Sequence, residues 1–242
     1  MDMPYIISIQ VGKPKVSWVK TIANITNSSL LRMAGAFRRI LLKTPIMMYV
    51  PWSTGFYKKP VEGKVWLGKW NLSGDGQADL KSHGGPEKAV LAYSAEHYPV
   101  WCSEISGLAL PYGAFGENFT VAGLTEKTVC IGDTYTVGEA RLQVSQPRQP
   151  CWKISRRWRI RDLAERVKIT GRTGWYFRVI TEGYVECGLP VVLLDRPFPR
   201  WTVAHANEIM KHRRKDRHAA EELASCELLS VNWRKILSAK HP

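Results

Sequence analysis

The sequence has no long apolar run and no sign of a secreted disulfide framework. None of its apolar stretches approaches the roughly 18 residues that suggest a membrane-spanning helix. The N-terminus, Met1–Tyr5, lacks the basic and then apolar layout of a secretion signal. The five cysteines are odd in number and widely spaced, and they form no Cys-x-x-Cys pair. These absences predict a cytoplasmic protein with reduced thiols and no membrane association.

The motifs of several common enzyme classes are also missing. The chain has no phosphate-binding P-loop, no His-Glu-x-x-His and no Gly-x-Ser-x-Gly. Its six histidines show no paired ligand spacing. Phosphoryl transfer, zinc-dependent proteolysis and serine hydrolysis therefore have no support in the sequence.

Positive charge is what the chain has in excess. Lys and Arg number 35 against 21 Asp and Glu, which gives a formal net charge of +14 over 242 residues. Hydrophobic residues make up 45% of the chain, enough for a packed core. The charge surplus predicts an anionic partner, such as a phosphate-bearing cofactor, a nucleotide or nucleic acid, unless it serves only solubility.

Short strand patterns separated by Gly-rich turns dominate the first 195 residues and favour a β-barrel or sandwich. The predicted strands are Tyr5–Val11, Gly63–Trp70, Ala89–Tyr93, Phe119–Val121, Asp133–Val137, Arg141–Ser145, Tyr176–Ile180 and Val191–Leu194. Helices are expected over Ala95–Glu104, capped by Ser94, and over Ile160–Lys168, stopped by Gly171. A basic, Trp-rich helix is expected directly after Cys151.

The composition changes after Pro190. A proline-stiffened linker, Asp195–Arg200, is followed by three short helical patterns that Thr202, Asp216 and Ser230 can cap. The sequence thus predicts a domain over residues 1–195 and a three-helix subdomain over residues 200–242. Such short helices bury little on their own, so we expect them to dock on the first domain or to pack in a homodimer.

Between Asn24 and Val50 the pattern is helical and basic. Apolar residues keep helical spacing opposite the positive charges: Leu30, Met33, Ala34, Phe37 and Leu41. A basic amphipathic helix can lie on a membrane, but ordinary packing surface is the favoured interpretation.

Two Gly-rich segments are candidate ligand loops. In Gly74–Pro86, Asp75, Asp79 and His83 recur every four residues, so a helical turn would align them. A calcium loop would need a glutamate at its end, and a dinucleotide fingerprint would need a third glycine; the alternative is a pair of tight turns with satisfied side chains. In Ala114–Phe119, Asn118 would bond the edge of a heterocycle or cap the turn locally.

The stretch from Arg148 to Arg178 carries ten Lys or Arg against two acidic residues, with Trp152, Trp158 and Trp175 interleaved. This mixture suits phosphates and flat rings, and it equally suits nucleic acid. The alternative is a solvated helix face.

Cys151 is the strongest single candidate for chemistry. It follows Pro150 at the end of Val144–Cys151, on a loop that the prolines stiffen. Arg148 and Lys153 would favour its thiolate form, which binds transition metals, whereas an isolated cysteine is more often a buried small hydrophobe. Cys130, between Val129 and Ile131, fits that second description.

Taken together and in order, these motifs resemble the MOSC-domain family, which is named for the C-terminal domain of molybdenum cofactor sulfurase. The matching pieces are Gly74–Asp79, His83–Pro86, Phe115–Asn118, Gly132-Asp133 and the Ser-x-x-Arg-x-Pro-Cys pattern that ends at Cys151. The chain resembles in particular the small bacterial YiiM/YflK type, and the resemblance covers residues 1–20 and 53–242. It implies a closed, pyruvate-kinase-like β-barrel with inserted helices, a C-terminal three-helix appendage and an atypical insertion at about residues 20–52.

The resemblance also implies a site. Cys151 would ligate the molybdenum of a molybdenum cofactor (Mo-molybdopterin), and Arg148 would hold its pterin phosphate with nearby basic residues. Gly84 and Gly85 would add backbone N–H groups, His83 would orient a ligand or move a proton, and Asn118 and Ser145 would complete the cofactor contacts.

The activity implied is an oxidoreductase that removes oxygen from N-hydroxylated compounds such as 6-hydroxylaminopurine. A flavin or iron–sulfur protein would supply the electrons. The alternative is a sulfur carrier that holds a persulfide on Cys151 for cofactor assembly. A nucleic-acid-binding module that uses the 148–178 stretch or Lys211–Lys215 ranks third.

Overall fold

The computed structural model describes residues 3–23, 46–105, 109–213 and 215–239. The chain divides into two units: Met1–Pro14 with Gly55–Pro242, and Lys15–Thr54. Within the described ranges, none of the helices combines the length and the apolar character needed to cross a bilayer.

The strands follow the predicted order, and all eight predicted strands are present, although Gly63–Trp70 shortens to three residues. They are β1 Tyr5–Val11, β2 Lys15–Ala23, β3 Ile46–Thr54, β4 Lys59–Pro60, β5 Val65–Leu67, β6 Val90–Ser94, β7 Phe119–Ala122, β8 Thr134–Val137, β9 Ala140–Pro147, β10 Trp175–Thr181, β11 Gly183–Val185 and β12 Val192–Asp195.

The helices are short. They are α1 Leu80–His83, α2 His97–Glu104, α3 Trp152–Trp158, α4 Leu163–Thr170, α5 Val203–His212, α6 Arg217–Ala224 and α7 Val231–Ser238, with a 3-10 turn at Pro86–Lys88. The expected helix after Cys151 is therefore present as α3, and α4 ends at Gly171 in the left-handed conformation, as predicted.

One main sheet organises the larger unit. Its eight strands lie in the order β12-β8-β9-β10-β6-β7-β1-β4, and β6 and β7 form a parallel pair. β9 and β10 form the longest ladder in this sheet, from Trp175↔Pro147 to Thr181↔Arg141. A smaller ladder joins β5 to β11.

The sheet curls into a half-barrel and does not close, which corrects the closed barrel that the resemblance implied. Among the described residues, no ladder joins the end strands β12 and β4. The chain just before β12 instead meets the start of β1 through an isolated bridge, Tyr5↔Pro190, and through the bond from Val191 N to the Pro4 oxygen (2.8 Å). Ile6 N also donates to the Leu189 carbonyl (2.9 Å), so the contact at this seam consists of a few backbone bonds around Pro190.

The helix predicted over Ala95–Glu104 begins later than predicted. α2 starts at His97 with Glu96 at its N-cap, and the Ser94 hydroxyl donates to the Glu96 carboxylate instead of accepting from the helix. The prediction that Ser94 caps this helix was wrong. The start of α4 also shifts, from Ile160 to Leu163.

The three C-terminal caps are confirmed. Thr202 accepts from His205 N (3.1 Å), Asp216 from Ala219 N (3.0 Å) and Ser230 from Trp233 N (3.3 Å). Each side chain satisfies one of the backbone donors that a helix start leaves free.

The C-terminal helices dock on the sheet, as one of the two alternatives predicted. Their buried side chains belong to the same hydrophobic core as those of the strands; this core includes Val144, Phe177, Trp201, Ile209, Leu223 and Trp233. Polar bonds reinforce the contact. The Arg178 guanidinium donates to Glu87 (3.1 Å) and to the Leu228 carbonyl (2.9 Å), and Ser230 N donates to the Ser145 carbonyl (2.8 Å).

A second core fixes α2, α3 and α4. Tyr93 stacks on Phe115 with ring centres 4.4 Å apart, and Trp101, Ile154 and Leu163 pack with them. Because Ile154 lies in α3, this core holds the helix that follows Cys151 in a defined position.

The smaller unit is an antiparallel pair. β2 and β3 are in register from Lys15↔Thr54 to Ala23↔Ile46. The predicted helical stripe from Leu30 to Leu41 lies outside the described residues. Ile46–Val50, the part of the Asn24–Val50 segment that the structure describes, belongs to β3.

Candidate functional site

Cys151 lies between the end of β9 and the first residue of α3. Its backbone is extended (φ −114°, ψ 161°) and its side chain is half-buried. The loop is held on both sides: Arg148 N donates to the Gly174 carbonyl (3.0 Å), and Ile154 N donates to the Cys151 carbonyl (3.3 Å). The thiol is therefore presented from a fixed backbone.

Arg148 is buried with unused hydrogen-bonding capacity. Only 3% of the residue is exposed, and its Nη2 donates to the Phe115 carbonyl at 2.8 Å. Its Nη1 is also buried and has no hydrogen-bond partner among the described residues. Buried guanidinium groups normally satisfy their donors, so this geometry fits an anion or carbonyl that the protein itself does not supply.

His83 belongs to the same electrostatic environment. Burial lowers the pKa of its imidazole, and the nearby cations of Lys153 and Arg148 lower it further, whereas Asp79 opposes them. A neutral imidazole at neutral pH follows, and a positive field surrounds it.

Lys88 and Tyr176 complete this set of charges. Burial lowers the pKa of Lys88, opposed by Glu87 and Asp79. Burial raises the pKa of Tyr176, and this group also interacts with Arg148 and Cys151. The structure thus brings together six side chains, which we call the Cys151 site: His83, Lys88, Arg148, Cys151, Lys153 and Tyr176.

The two predicted backbone donors differ in their surroundings. Gly85 has φ 96° and opens the 3-10 turn, and a Cβ placed on it would meet no atom within 4 Å. A Cβ on Gly84 would come within 2.9 Å of the Leu80 side chain. Gly85 therefore faces open space in a conformation that favours glycine, whereas Gly84 permits close packing. Their predicted contact with a cofactor stays a prediction.

Asn118 is buried inside the fold. Its Oδ1 accepts from Leu91 N (3.1 Å), and its Nδ2 donates to the Gln10 carbonyl (3.2 Å) and to Asp75 Oδ2 (2.8 Å). The amide thereby ties together β1, β6 and the Gly74–Gly76 turn. Its predicted contact with a cofactor stays a prediction.

Asp75 makes contacts that stabilise the fold. Its carboxylate accepts from Gly12 N (2.8 Å) and from the Lys58 ammonium, and both partners of this ion pair are buried. Burial lowers the pKa of Lys58, and Asp75 opposes that shift. A single helical turn does not align Asp75, Asp79 and His83, because only Leu80–His83 of this segment is α-helical.

Ser145 connects β9 to two neighbouring segments. Its hydroxyl lies 2.5 Å from the Glu87 carbonyl oxygen and 3.1 Å from the Tyr176 carbonyl oxygen, and the residue is fully buried. It joins β9 to the 3-10 turn that contains Lys88, and its predicted contact with a cofactor stays a prediction.

The sequence did not reveal an aromatic and arginine stack beside the site. The Phe56 ring lies 6.0 Å from the Arg148 guanidinium and 5.6 Å from that of Arg157, whose Nη1 donates to the Phe56 carbonyl. The ring also packs against Gly116, where a Cβ would come within 2.9 Å of it. We call Arg148, Phe56 and Arg157 the Phe56 stack. The Gly-centred turn at Gly116 was the available sequence signal, but nothing in it identifies the ring that needs the space.

The basic stretch from Arg148 to Arg178 separates into groups with different roles. Ion pairs within the described ranges include Arg166–Asp162, Lys168–Glu165, Arg172–Glu104 and Arg178–Glu87. Trp175 is core, and Trp152 is 52% exposed. The stretch is therefore neither a uniform solvated face nor a uniform ligand surface.

Comparison with known proteins now identifies the class. The MOSC domain model matches residues 79–192, and the YiiM-like 3-alpha helix domain model matches residues 201–240. A curled sheet with a half-buried cysteine at the end of its basic loop, followed by three docked helices, is consistent with both. The chain belongs to the MOSC-domain family, and within it to the YiiM-like proteins.

Particular relatives support this membership. The uncharacterized protein YflK of Bacillus subtilis is 49% identical over 181 residues, which cover 75% of this chain and 81% of YflK. The crystal structure of YiiM from Geobacillus stearothermophilus is 35% identical with a TM-score of 0.72, and 97% of each chain is covered. A protein of Gibberella moniliformis named a reductase is 36% identical over 164 residues, which cover 66% of this chain and 29% of the reductase.

MOSC domains are associated in general with binding of the molybdenum cofactor. The residues present fit such a group. The buried Arg148 Nη1 without a partner and the open space beside Gly85 suit an anionic ligand, and the half-buried Cys151 sulfur suits a transition metal.

Proposed function

We propose that this chain is a molybdenum-cofactor-dependent reductase of N-hydroxylated compounds, with Cys151 as the protein ligand to the metal. The observation that carries the proposal is the buried, partnerless Nη1 of Arg148, three residues before a half-buried thiol. A buried cation of this kind needs an anion, and a soft thiolate suits an oxo-metal centre.

The cations of the Cys151 site have distinct roles in this proposal. Arg148 would hold the pterin phosphate through its Nη1, and Lys88 and Lys153, which like Arg148 lower the pKa of His83, would add positive charge. The backbone N–H groups at Gly84 and Gly85 provide neutral donors to the same group. Asn118 and Ser145 keep the β1, β9 and 3-10 segments in place, and their proposed contribution is to position these donors.

When bound, the cofactor supplies two-electron chemistry: an N–OH group takes up two electrons and two protons and becomes an N–H group and water. Cys151 would hold the metal, and neutral His83 would orient a ligand or move a proton. A flat base analogue such as 6-hydroxylaminopurine is the proposed substrate. A separate flavin or iron–sulfur protein is the proposed electron donor.

The test compares protein purified from hosts with and without a working molybdenum cofactor pathway. Bound molybdenum, bound pterin and 6-hydroxylaminopurine reduction with reduced methyl viologen are measured for wild type, Cys151→Ala and Cys187→Ala. We expect activity only with the cofactor, its loss in Cys151→Ala, and wild-type behaviour in Cys187→Ala, since Cys187 is an exposed thiol that bonds the backbone of β1. An active, folded Cys151→Ala variant would overturn the proposal.

A sulfur carrier is the second candidate, favoured by the partial exposure of the Cys151 thiol, which leaves it reachable for a sulfur donor. The Cys151 peptide would then carry the added mass of one sulfur atom in mass spectra of the purified protein. Full reductase turnover without any such adduct would argue against this role.

A further inference from the structure

Gln146 on β9 is a buried amide whose oxygen has no hydrogen-bond partner. The residue is 3% exposed, and its Nε2 donates to the Pro147 carbonyl (3.2 Å). Its Oε1 is buried and accepts no hydrogen bond from the residues that the structure describes. Because buried side-chain oxygens normally accept at least one hydrogen bond, this geometry fits a donor that the protein itself does not supply.

The sheet register shows which face of β9 carries Gln146. Gln146 is paired with Tyr176 on β10, and Tyr176 is paired with Leu91 on β6, so these three side chains lie on one face of the sheet. Trp175 and Phe177, the neighbours of Tyr176 in sequence, alternate to the other face and belong to the main hydrophobic core. Gln146 and Tyr176 therefore share the face opposite the main core.

Tyr176 connects this face to the proposed metal ligand. Burial raises the pKa of its phenol, Arg148 opposes this shift and Cys151 adds to it, so the phenol lies within electrostatic range of both. The phenol is protonated at neutral pH and is a hydrogen-bond donor there. Its hydroxyl forms no hydrogen bond with the residues in the described ranges. An acceptor at Gln146 and a donor at Tyr176 thus lie on one face beside Cys151.

The oxygen of Gln146 does not suit the anion that we propose for Arg148. Arg148 lies two positions further along the chain, and its buried Nη1 is a donor without a partner among the described residues. Phosphate oxygens are acceptors, so a phosphate bound there cannot satisfy Gln146 Oε1, which is an acceptor as well. The group that suits Gln146 is an N–H on another part of a ligand.

We propose that Gln146 and Tyr176 bind the polar edge of a flat heterocycle. Gln146 Oε1 accepts from an amino or ring N–H group, and the Tyr176 hydroxyl donates to the adjacent ring nitrogen or carbonyl oxygen. The inference rests on the proposed function and adds a second set of contacts to the Cys151 site. The pterin ring of the cofactor and a base substrate both have such an edge, and the experiment distinguishes these two sources.

The test variant is Gln146→Met, which keeps a side chain of similar length and removes the acceptor. The matched control is Gln143→Met on the same strand. Gln143 Nε2 donates to Thr134 Oγ1 (3.2 Å), and its Oε1 accepts from Arg178 Nη1 (3.0 Å), so both ends of this amide are used inside the fold. Wild type and both variants are purified from hosts with and without a working molybdenum cofactor pathway.

The first measurement is thermal unfolding of the cofactor-free protein. We expect the unfolding midpoint of Gln146→Met to equal or exceed that of wild type, because the substitution removes an acceptor that the fold leaves unsatisfied. We expect a lower midpoint for Gln143→Met, because Arg178 Nη1 loses its acceptor. This order separates a loss of ligand binding in Gln146→Met from a folding defect.

The second measurement is ligand binding. Bound pterin and molybdenum are determined for the cofactor-loaded chains. Calorimetry gives the affinities of loaded and cofactor-free chains for adenine, which has an amino group beside a ring nitrogen, and for N6,N6-dimethyladenine, which has no amino N–H.

The two sources give different results. If a base is the partner, Gln146→Met keeps the pterin content of wild type, binds adenine about tenfold more weakly and no longer prefers adenine to its dimethyl derivative. If the pterin is the partner, Gln146→Met contains less pterin than wild type and Gln143→Met. Tyr176→Phe, which removes the donor, is expected to weaken the binding of the same ligand as Gln146→Met.

Two results would overturn the proposal. One is a Gln146→Met variant with wild-type pterin content and unchanged adenine affinity. The other is a cofactor-free Gln146→Met variant that is destabilised as much as Gln143→Met, since this would show that the amide serves the fold.

Failure of the proposed function looks different. In that case neither host gives bound molybdenum or turnover. The adenine affinities and unfolding midpoints of the cofactor-free wild type and Gln146→Met then still decide whether Gln146 binds an N–H group.

Discussion

Asp75 is the residue at which a buried carboxylate meets a buried ammonium. It bonds Lys58, Gly12 N and Asn118, so removing its charge leaves the Lys58 cation in a desolvated position. We expect Asp75→Asn to lower the free energy of unfolding by about 3–5 kcal/mol. Urea denaturation followed by circular dichroism measures this change.

The control for this prediction is an exposed ion pair. Asp162→Asn removes the partner of Arg166 on the surface, and we expect the unfolding free energy to stay close to that of wild type. The double variant Asp75→Asn with Lys58→Met should be less destabilised than Asp75→Asn alone. If it is not, the ion pair does not account for the effect.

His83 should make stability depend on pH. Its pKa in the folded chain is lower than its ordinary value of 6.5, chiefly because of burial, so below pH 6.5 the unfolded chain takes up a proton that the folded chain resists. The stability contributed by neutral His83 is therefore present above pH 6.5 and is lost as the pH falls below it.

We expect His83→Gln to lose less stability than wild type when the pH falls from 7.5 to about 5.5. Chemical denaturation at a series of pH values measures this difference. His218→Gln, which alters an exposed histidine on α6, should follow wild type. Parallel stability curves for wild type and His83→Gln would contradict the prediction.

Single residues could be predicted from the sequence where a short stretch of chain contains the whole motif. Cys151 and Arg148 lie three positions apart, with prolines around them, so one window of sequence contains both. The Phe56 stack was not predictable in this way, because the bond from Arg157 to the Phe56 carbonyl spans 101 positions and depends on how the second core folds. Lys88 was missed for a similar reason, since its role comes from burial next to Glu87 and Asp79.

The C-terminal end of α3 allows a test of whether a left-handed backbone conformation lowers stability. Arg159, its C-cap, is left-handed (φ 56°) and is the only described non-glycine residue with positive φ. A left-handed conformation costs an L-residue with a Cβ roughly 1–2 kcal/mol, and glycine is the usual residue at such a helix end. We expect Arg159→Gly to keep or raise the free energy of unfolding, by up to about 1 kcal/mol.

Arg156→Gly is the matched control for this prediction, because it places glycine inside the same helix. Glycine in a helix interior lowers stability by about 1 kcal/mol relative to alanine, so this variant should be less stable than wild type. Thermal denaturation of both variants gives the comparison. Equal losses in the two variants would show that the conformation of Arg159 carries no strain.

Elements with their own local signals were the most predictable. Thr202, Asp216 and Ser230 each begin a helix where a capping side chain precedes an amphipathic pattern, and all three bonds form. Ser94 precedes α2 in the same way, but its hydroxyl is used by Glu96, a competition that the pattern does not show. The predicted closed barrel was wrong for a related reason: strand patterns do not show whether the two end strands of a sheet pair, and β12 and β4 have no ladder between them in the described residues.

The whole larger unit is expected to unfold in one step. Sheet and C-terminal helices share one hydrophobic core, so neither can lose its partner and keep its apolar surface buried. We expect a chain truncated after Arg200 to lose the cooperative unfolding transition of the full chain, as measured by urea denaturation. A truncated chain with wild-type stability would contradict this expectation.

The pair β2–β3 is expected to be dispensable for that core. Lys15 and Thr54 are paired, so the two ends of the smaller unit lie about 5 Å apart and a two-residue linker can join Pro14 to Gly55. We expect the chain without Lys15–Thr54 to retain one cooperative transition at a denaturant concentration close to that of the full chain. Loss of cooperativity would show that the smaller unit contributes to the core.

The docked helices have a consequence for the order of events during synthesis. Trp233 and Leu237 belong to the core of a sheet whose first strand begins at Tyr5, so the ribosome must release the chain as far as Leu237 before that core is complete. Until then part of the apolar surface of the sheet stays uncovered, and we expect a nascent chain stalled before α7 to bind chaperones. The β2–β3 ladder pairs segments much closer in sequence than β1 and α7 are, so it can form early, while the rest of the chain waits for its last helix.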